Sequence, residues 1–141
     1  MNKYLSIFIV FLLYGCNQIK ESTNLFEIYQ HYIKSAKETE VVYNMLTSEL
    51  RVKINTLGLD QFPIITSFPT AISNTKNHYQ VIENTKGCLT INGFDKDNSP
   101  VSLYVEYTNE NKKWLLSFVE IYYLDTPNQF MHKGVCPTRL E

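Results

Sequence analysis

The spacing of apolar and polar positions changes character several times along the chain. After Met1-Asn2-Lys3, residues 4–14 form an almost unbroken apolar run that ends at small Gly15. That run is too short for a permanent membrane span and has the layout of a signal peptide. Residues 17–23 are polar and short, which suits a tether. From Leu25 onward apolar residues recur at helical spacing: Leu25, Tyr29, Tyr32 and Ala36, joined by Phe26 and Ile33. Asn24 with Glu27 three residues on reads as a capping box, so the pattern predicts a helix over about 25–37. Thr39 is placed to cap a second, shorter helix with Val42, Met45 and Leu46 facing inward. Ser48 is placed to cap a third that runs to about Leu57 and stops at Gly58.

Residues 59–77 are irregular. Pro63 and Pro69 break hydrogen-bond ladders, while Ile64, Ile65 and Phe68 suggest a loop that packs back on the core. The period then becomes two. Residues 79–84 and 88–94 predict a hairpin, and Asp95-Lys96-Asp97-Asn98-Ser99-Pro100 predicts a turn. Val101, Leu103, Val105 and Tyr107 alternate with Ser102, Tyr104, Glu106 and Thr108, the signature of a half-buried strand. After a turn at Asn109-Glu110-Asn111-Lys112, residues 114–124 predict a long last strand. Strict alternation puts Trp114, Leu116, Phe118 and Tyr122 on one face and Leu115, Val119, Ile121 and Tyr123 on the other. Apolar residues on both faces predict a central or strongly covered strand. Helices followed by an antiparallel meander give an α+β fold, with the N-terminal helices packed on one face of a curved antiparallel sheet.

Composition narrows the class. A chain of 141 residues with 44% hydrophobic and 19% charged residues is a globular protein with room for one domain and its core. Removing Lys3 moves the formal net charge from −1 to about −2. With no basic cluster, nothing draws the chain to nucleic acid.

The segment Leu13-Tyr14-Gly15-Cys16 resembles the bacterial lipobox, an aliphatic residue, two mostly small residues and an acceptor cysteine. The resemblance implies cleavage before Cys16 and lipidation of that cysteine with several fatty chains such as palmitate. At about 0.8 kcal/mol per buried CH₂ such an anchor is effectively permanent. The expected division is then a signal peptide over 1–15, a lipidated cysteine and tether over 16–23, and a single α+β domain over 24–141. Asn17 in place of aspartate implies outer-membrane sorting in a Gram-negative cell, on the periplasmic face. With Cys16 set aside, Cys88 and Cys136 remain as an even pair in an oxidising compartment, and a disulfide between them is the expected state. Two free thiols or a metal pair are the alternatives, but no CxxC or nearby Cys/His spacing supports zinc.

Residues 25–51, an amphipathic helix followed by Tyr43-Asn44-Met45-Leu46-Thr47-Ser48-Glu49-Leu50-Arg51, resemble the opening of the cone-shaped domains named after nuclear transport factor two, in the cystatin-like class. Asn111-Lys112-Lys113-Trp114-Leu115-Leu116 is similar to their last-strand entry. The resemblance covers about 100 residues. It implies a pocket between helices and sheet, which some members use for isomerase or dehydratase chemistry with an Asp and a Tyr or His.

The residues that such chemistry needs do not converge in the sequence. Asp60, Asp95, Asp97 and Asp125 fall in loops and turns, where turn chemistry accounts for them. His31, His78 and His132 stand without a second metal ligand at a usable spacing. Thr47 and Ser48 read as caps with no nucleophile-elbow glycines around them. No cofactor and no metal are expected. Tyrosine is the enriched side chain, and it suits interfaces. Tyr29, Tyr32, Tyr107 and Tyr122 sit where core packing places them, whereas Tyr104 and Tyr123 are the candidates for an exposed binding patch. The expected function is a lipid-anchored envelope protein that binds a protein partner without catalysis, for instance an immunity-type or accessory protein. A small-ligand carrier or a hydro-lyase or isomerase that uses the cone pocket is the competing expectation.

Overall fold

The structure is a computed structural model that describes residues 23–138. The expected signal segment, the lipidation site Cys16 and nearly all of the tether lie outside the described residues. Helix α1 (Leu25–Ser35) opens on the Asn24 side chain, which accepts hydrogen bonds from the Phe26 and Glu27 amides, and it buries Leu25, Tyr29 and Tyr32. Its amide end is also docked, since Leu25 N donates to the Gln80 side chain at 2.9 Å and Gln80 Nε2 donates to Thr23 O at 2.8 Å. Helix α2 (Thr39–Asn44) has Glu38 at its cap position, without a side-chain cap bond, so Thr39 is its first residue and not its cap. Helix α3 (Ser48–Leu57) is capped by Thr47, whose hydroxyl accepts from Leu50 N. The expected cap, Ser48, instead donates to Glu110 at 2.6 Å. Gly58 ends α3 at φ 89°, a backbone geometry that side-chain-bearing residues rarely adopt.

The irregular stretch resolves into short pieces: a 3-10 turn at Leu59–Gln61, helix α4 (Pro63–Ser67) with proline in its first turn, and a second 3-10 turn at Phe68–Thr70. Phe68 and Ile65 are buried, so this stretch packs back on the core as its apolar residues imply. Four strands follow, β1 (Asn74–Glu83), β2 (Lys86–Phe94), β3 (Pro100–Glu110) and β4 (Lys113–Tyr123), in one antiparallel sheet of order β1-β2-β3-β4. The fold is α+β, with the helices on one face of a curved, open sheet. Asp95 shapes the β2–β3 turn by accepting from the Asp97 and Ser99 amides. Asn111 and Lys112, both at positive φ, make the two-residue turn into β4.

Two expectations about the strands need correction. β4 is an edge strand, not a central one. Its alternation is also broken, because Tyr107 pairs with Leu116 but Glu106 pairs with Phe118, leaving Ser117 as the extra residue of a β-bulge. A bulge moves every later side chain to the other face. Val119, Ile121 and Tyr123 therefore join Trp114 and Leu116 on the helix side, while Phe118, Glu120 and Tyr122 turn outward. The Ser117 hydroxyl holds the kink by donating to the Glu106 carbonyl and carboxylate, both at 3.0 Å.

β3 is also buried on both faces rather than one. After β4 the tail crosses the outer face of the sheet, and beneath it Thr90, Asn92 and Ser102 are inaccessible to solvent. The polar layer is satisfied internally, as buried polar groups must be. Asn92 Nδ2 donates to Asn77 Oδ1 at 2.7 Å and to Met131 O at 2.8 Å, and Ser102 Oγ donates to Asn92 Oδ1 at 2.7 Å. Val135 N donates to Thr90 Oγ1 at 2.9 Å. Cys88 and Cys136 stand at disulfide distance with Cα atoms 4.9 Å apart, which pins the tail over β2.

Candidate functional site

The space between helices and sheet is filled. Tyr29, Tyr32, Phe68 and Tyr107 occupy it together with Leu89, Leu103, Val105 and Leu116. The Phe68 and Tyr32 rings lie 4.9 Å apart. Tyr32 Oη donates to Ile65 O at 3.4 Å, whereas the Tyr107 hydroxyl, also buried, has no hydrogen-bond partner among the described residues. Burial holds the phenols of Tyr29, Tyr32 and Tyr107 protonated well above their ordinary range. A cavity of about 250 Å³ lies among the helices, and its lining contains no carboxylate, imidazole or amine.

A second opening runs along β4. A groove of about 720 Å³ is bounded by Glu49, Leu50 and Lys53 of α3, by Phe62, Ile64 and Ile65 at α4, and by residues 117–122 of β4. Both the helix-side residues Val119 and Ile121 and the outward residues Phe118, Glu120 and Tyr122 line it, so it follows the strand edge-on. Glu110, at the end of β3, closes one end and bonds Ser48.

Around the groove mouth lies an aromatic and acidic patch on the outer face. Tyr104 and Tyr122 rings are 4.8 Å apart and tilted, at a separation typical of aromatic pairs. Tyr122 Oη donates to Glu120 Oε2 at 2.8 Å, and the same oxygen accepts from Thr138 N at 3.1 Å. The hydrogen bond to Glu120 raises the Tyr122 phenol above its ordinary value, while Tyr104 is raised first by burial and then by the Glu120 charge.

The structure therefore divides the two tyrosines that alternation pairs. Tyr104 faces outward and is half-buried, with Tyr122 as its partner. Tyr123 is 67% exposed but sits on the helix side, across the sheet from Tyr104. Tyr122, expected in the core, is 39% exposed. Phe62 and Glu120 carry no sequence signal of a site, and Ile64 and Phe118 read from the sequence as packing positions, although the apolar doublets Leu115-Leu116 and Phe118-Val119 on either side of Ser117 are a visible break of period.

The remaining candidates stay apart. Asp60, Asp95, Asp97 and Asp125 are dispersed over turns. His31 lies in a shallow depression beside Trp114, His78 stacks on Phe26 at 3.9 Å, and His132 meets the Tyr79 hydroxyl at 3.2 Å. Among the described residues no group of three His, Cys, Asp or Glu is placed to hold a metal, and no helix is long and apolar enough to cross a membrane. No protein-family model, no curated protein and no solved structure matches this chain.

Proposed function

We propose that this chain is a lipid-anchored envelope protein, of immunity or accessory type, that acts by stoichiometric capture of a protein partner. The domain is read as a cone of the class named after nuclear transport factor two in which the interior is packed and the binding surface has moved to the β3–β4 side. One observation carries the reading: the groove along β4 is continuous with the Tyr104, Tyr122 and Glu120 patch, so apolar, aromatic and charged groups meet on one open surface. Interfaces are built from such combinations, with aromatic anchors at the centre and charge at the rim. The carrier or hydro-lyase alternative draws less support, because the helix–sheet space is occupied by side chains.

The test is photocrosslinking in the native envelope from a reactive residue placed at Tyr104. The expected result is one protein adduct, lost on Tyr122→Ala, from a chain whose Cys16→Ser variant no longer fractionates with membrane. A small metabolite bound to the purified protein, with no adduct at any dose of light, would turn the reading to the carrier.

A further inference from the structure

We propose that the half of the β4 edge without a backbone partner among the described residues receives one extended, basic segment of a partner protein, which joins the sheet as a fifth strand beside Val119, Ile121 and Tyr123. This deepens the protein-binding reading above and rests on it.

The main-chain geometry follows from the register. In an antiparallel pair, directly opposed residues alternate between those that exchange hydrogen bonds and those that do not. Leu124 N donates to Pro100 O, so that pair is a bonded one. Counting inward, Tyr122 with Ser102, Glu120 with Tyr104 and Phe118 with Glu106 are bonded as well. Val119, Ile121 and Tyr123 consequently turn their N–H and C=O groups away from β3, and Val119 and Ile121 line the groove.

The same edge is treated differently on the other side of the bulge. There Leu116 N donates to Met45 O at 2.8 Å and Leu116 O accepts from Thr47 N at 2.9 Å, so the α2–α3 connection caps it. Edge strands are ordinarily blunted by lysine, proline or a covering segment. Residues 119–123 carry neither lysine nor proline.

The groove also selects its occupant. At about 3.4 Å per residue, 119–123 offers a row of roughly 14 Å, enough for four or five added residues. α3 and α4 both contribute to the lining of the groove, through Glu49, Leu50 and Lys53 and through Ile64 and Ile65. The lining holds Glu49, Glu110 and Glu120 against Lys53, a formal charge of −2. An added strand would present alternate side chains to the helix side, against Phe62 and Ile64, and to the outer side, opposite Glu120. The complementary segment is therefore apolar at every second position with lysine or arginine between, and opposite charges across a strand pair are favourable. Strand addition takes affinity from the main chain and specificity from such alternate pockets.

The experiment pans a random decapeptide display library on the full chain in detergent, then resynthesises enriched peptides with backbone N-methyl groups in either of the two alternating registers. Strand addition predicts enrichment of alternating apolar and basic residues. It also predicts a loss of roughly tenfold or more for the register whose amides face β4, with little change for the other. Ile121→Pro should produce the same loss, since it deletes an outward amide on an edge strand and spares the pairing with β3. Should that variant fail to fold, the N-methyl pair on the unaltered chain decides. Failure to enrich any peptide overturns the inference, as does a concentration-dependent dimer abolished by Ile121→Pro. Peptides that need Tyr122 but tolerate N-methylation in both registers also overturn strand addition, while leaving protein capture standing.

Discussion

Replacing Tyr107 by Phe should make this protein more stable, although it removes a polar atom from one of its most buried side chains. Tyr107 is 1% exposed, its ring packs in the core between β3 and α1, and its hydroxyl has no hydrogen-bond partner among the described residues. An unsatisfied buried polar group costs about 1 to 3 kcal/mol of desolvation. Deleting the oxygen leaves a void of about 10 Å³, worth about 0.2 kcal/mol at roughly 24 cal/mol per Å³. The ring itself is retained, so the expected gain is about 1 kcal/mol or more, or about 4 °C in Tm for a domain of this size. Tyr32→Phe is the control, because the Tyr32 hydroxyl does have an acceptor in Ile65 O at 3.4 Å. It should be neutral or lose up to about 1 kcal/mol. Urea unfolding at neutral pH, followed by far-ultraviolet circular dichroism and extrapolated linearly, measures both variants, with equal m-values as the condition for comparison. A Tyr107→Phe protein that is less stable than the parent by 1 kcal/mol or more would show that the hydroxyl is engaged, and the reasoning would fail.

Two further outcomes follow from the same core and its tail. The double variant Cys88→Ser, Cys136→Ser opens a loop of 48 residues and should lose about 4 kcal/mol in the chain-entropy model. A loss under 1 kcal/mol, or both thiols of the exported protein free to alkylate, would mean that the tail is not pinned. Raising the pH should destabilise the fold. Burial raises the Tyr29, Tyr32 and Tyr107 phenols, so above about pH 10 the unfolded chain releases protons that the folded chain retains, and stability falls as pH rises from there. Tyrosinate absorbance should rise steeply together with loss of circular dichroism. Smooth titration of every tyrosine near pH 10 with the fold intact would contradict this.

The legible part of the fold is the part governed by neighbours in sequence. The Asn24 cap and the Leu25, Tyr29, Tyr32 stripe place α1 to within two residues of its end. The Asp95 and Asn111 turns separate the last three strands correctly, since turn chemistry is local. The core face of β3 was readable from its alternation, and the even cysteine pair from compartment and count. The binding surface was half readable. Tyr104 is on it, but Tyr123 is not, because one unpaired residue at Ser117 reverses the phase of everything after it. Nothing in a strict period of two carries that information.

What the sequence by itself determined was therefore the class of fold, the order of its elements, and the reasons to expect export, a lipid anchor and a disulfide. Tertiary structure alone decided which strand lies at the edge, which half of that edge Met45 and Thr47 cap, and which half opens on the groove. It also decided that Ser102, on the polar face of a strand that reads as half-buried, becomes with Thr90 and Asn92 a buried layer beneath the tail. The physical reason is range. Helical stripes, caps and turns arise within a few residues, whereas edges, grooves and covered faces depend on what a segment 40 or more positions away is packed against, as with Val135 on Thr90.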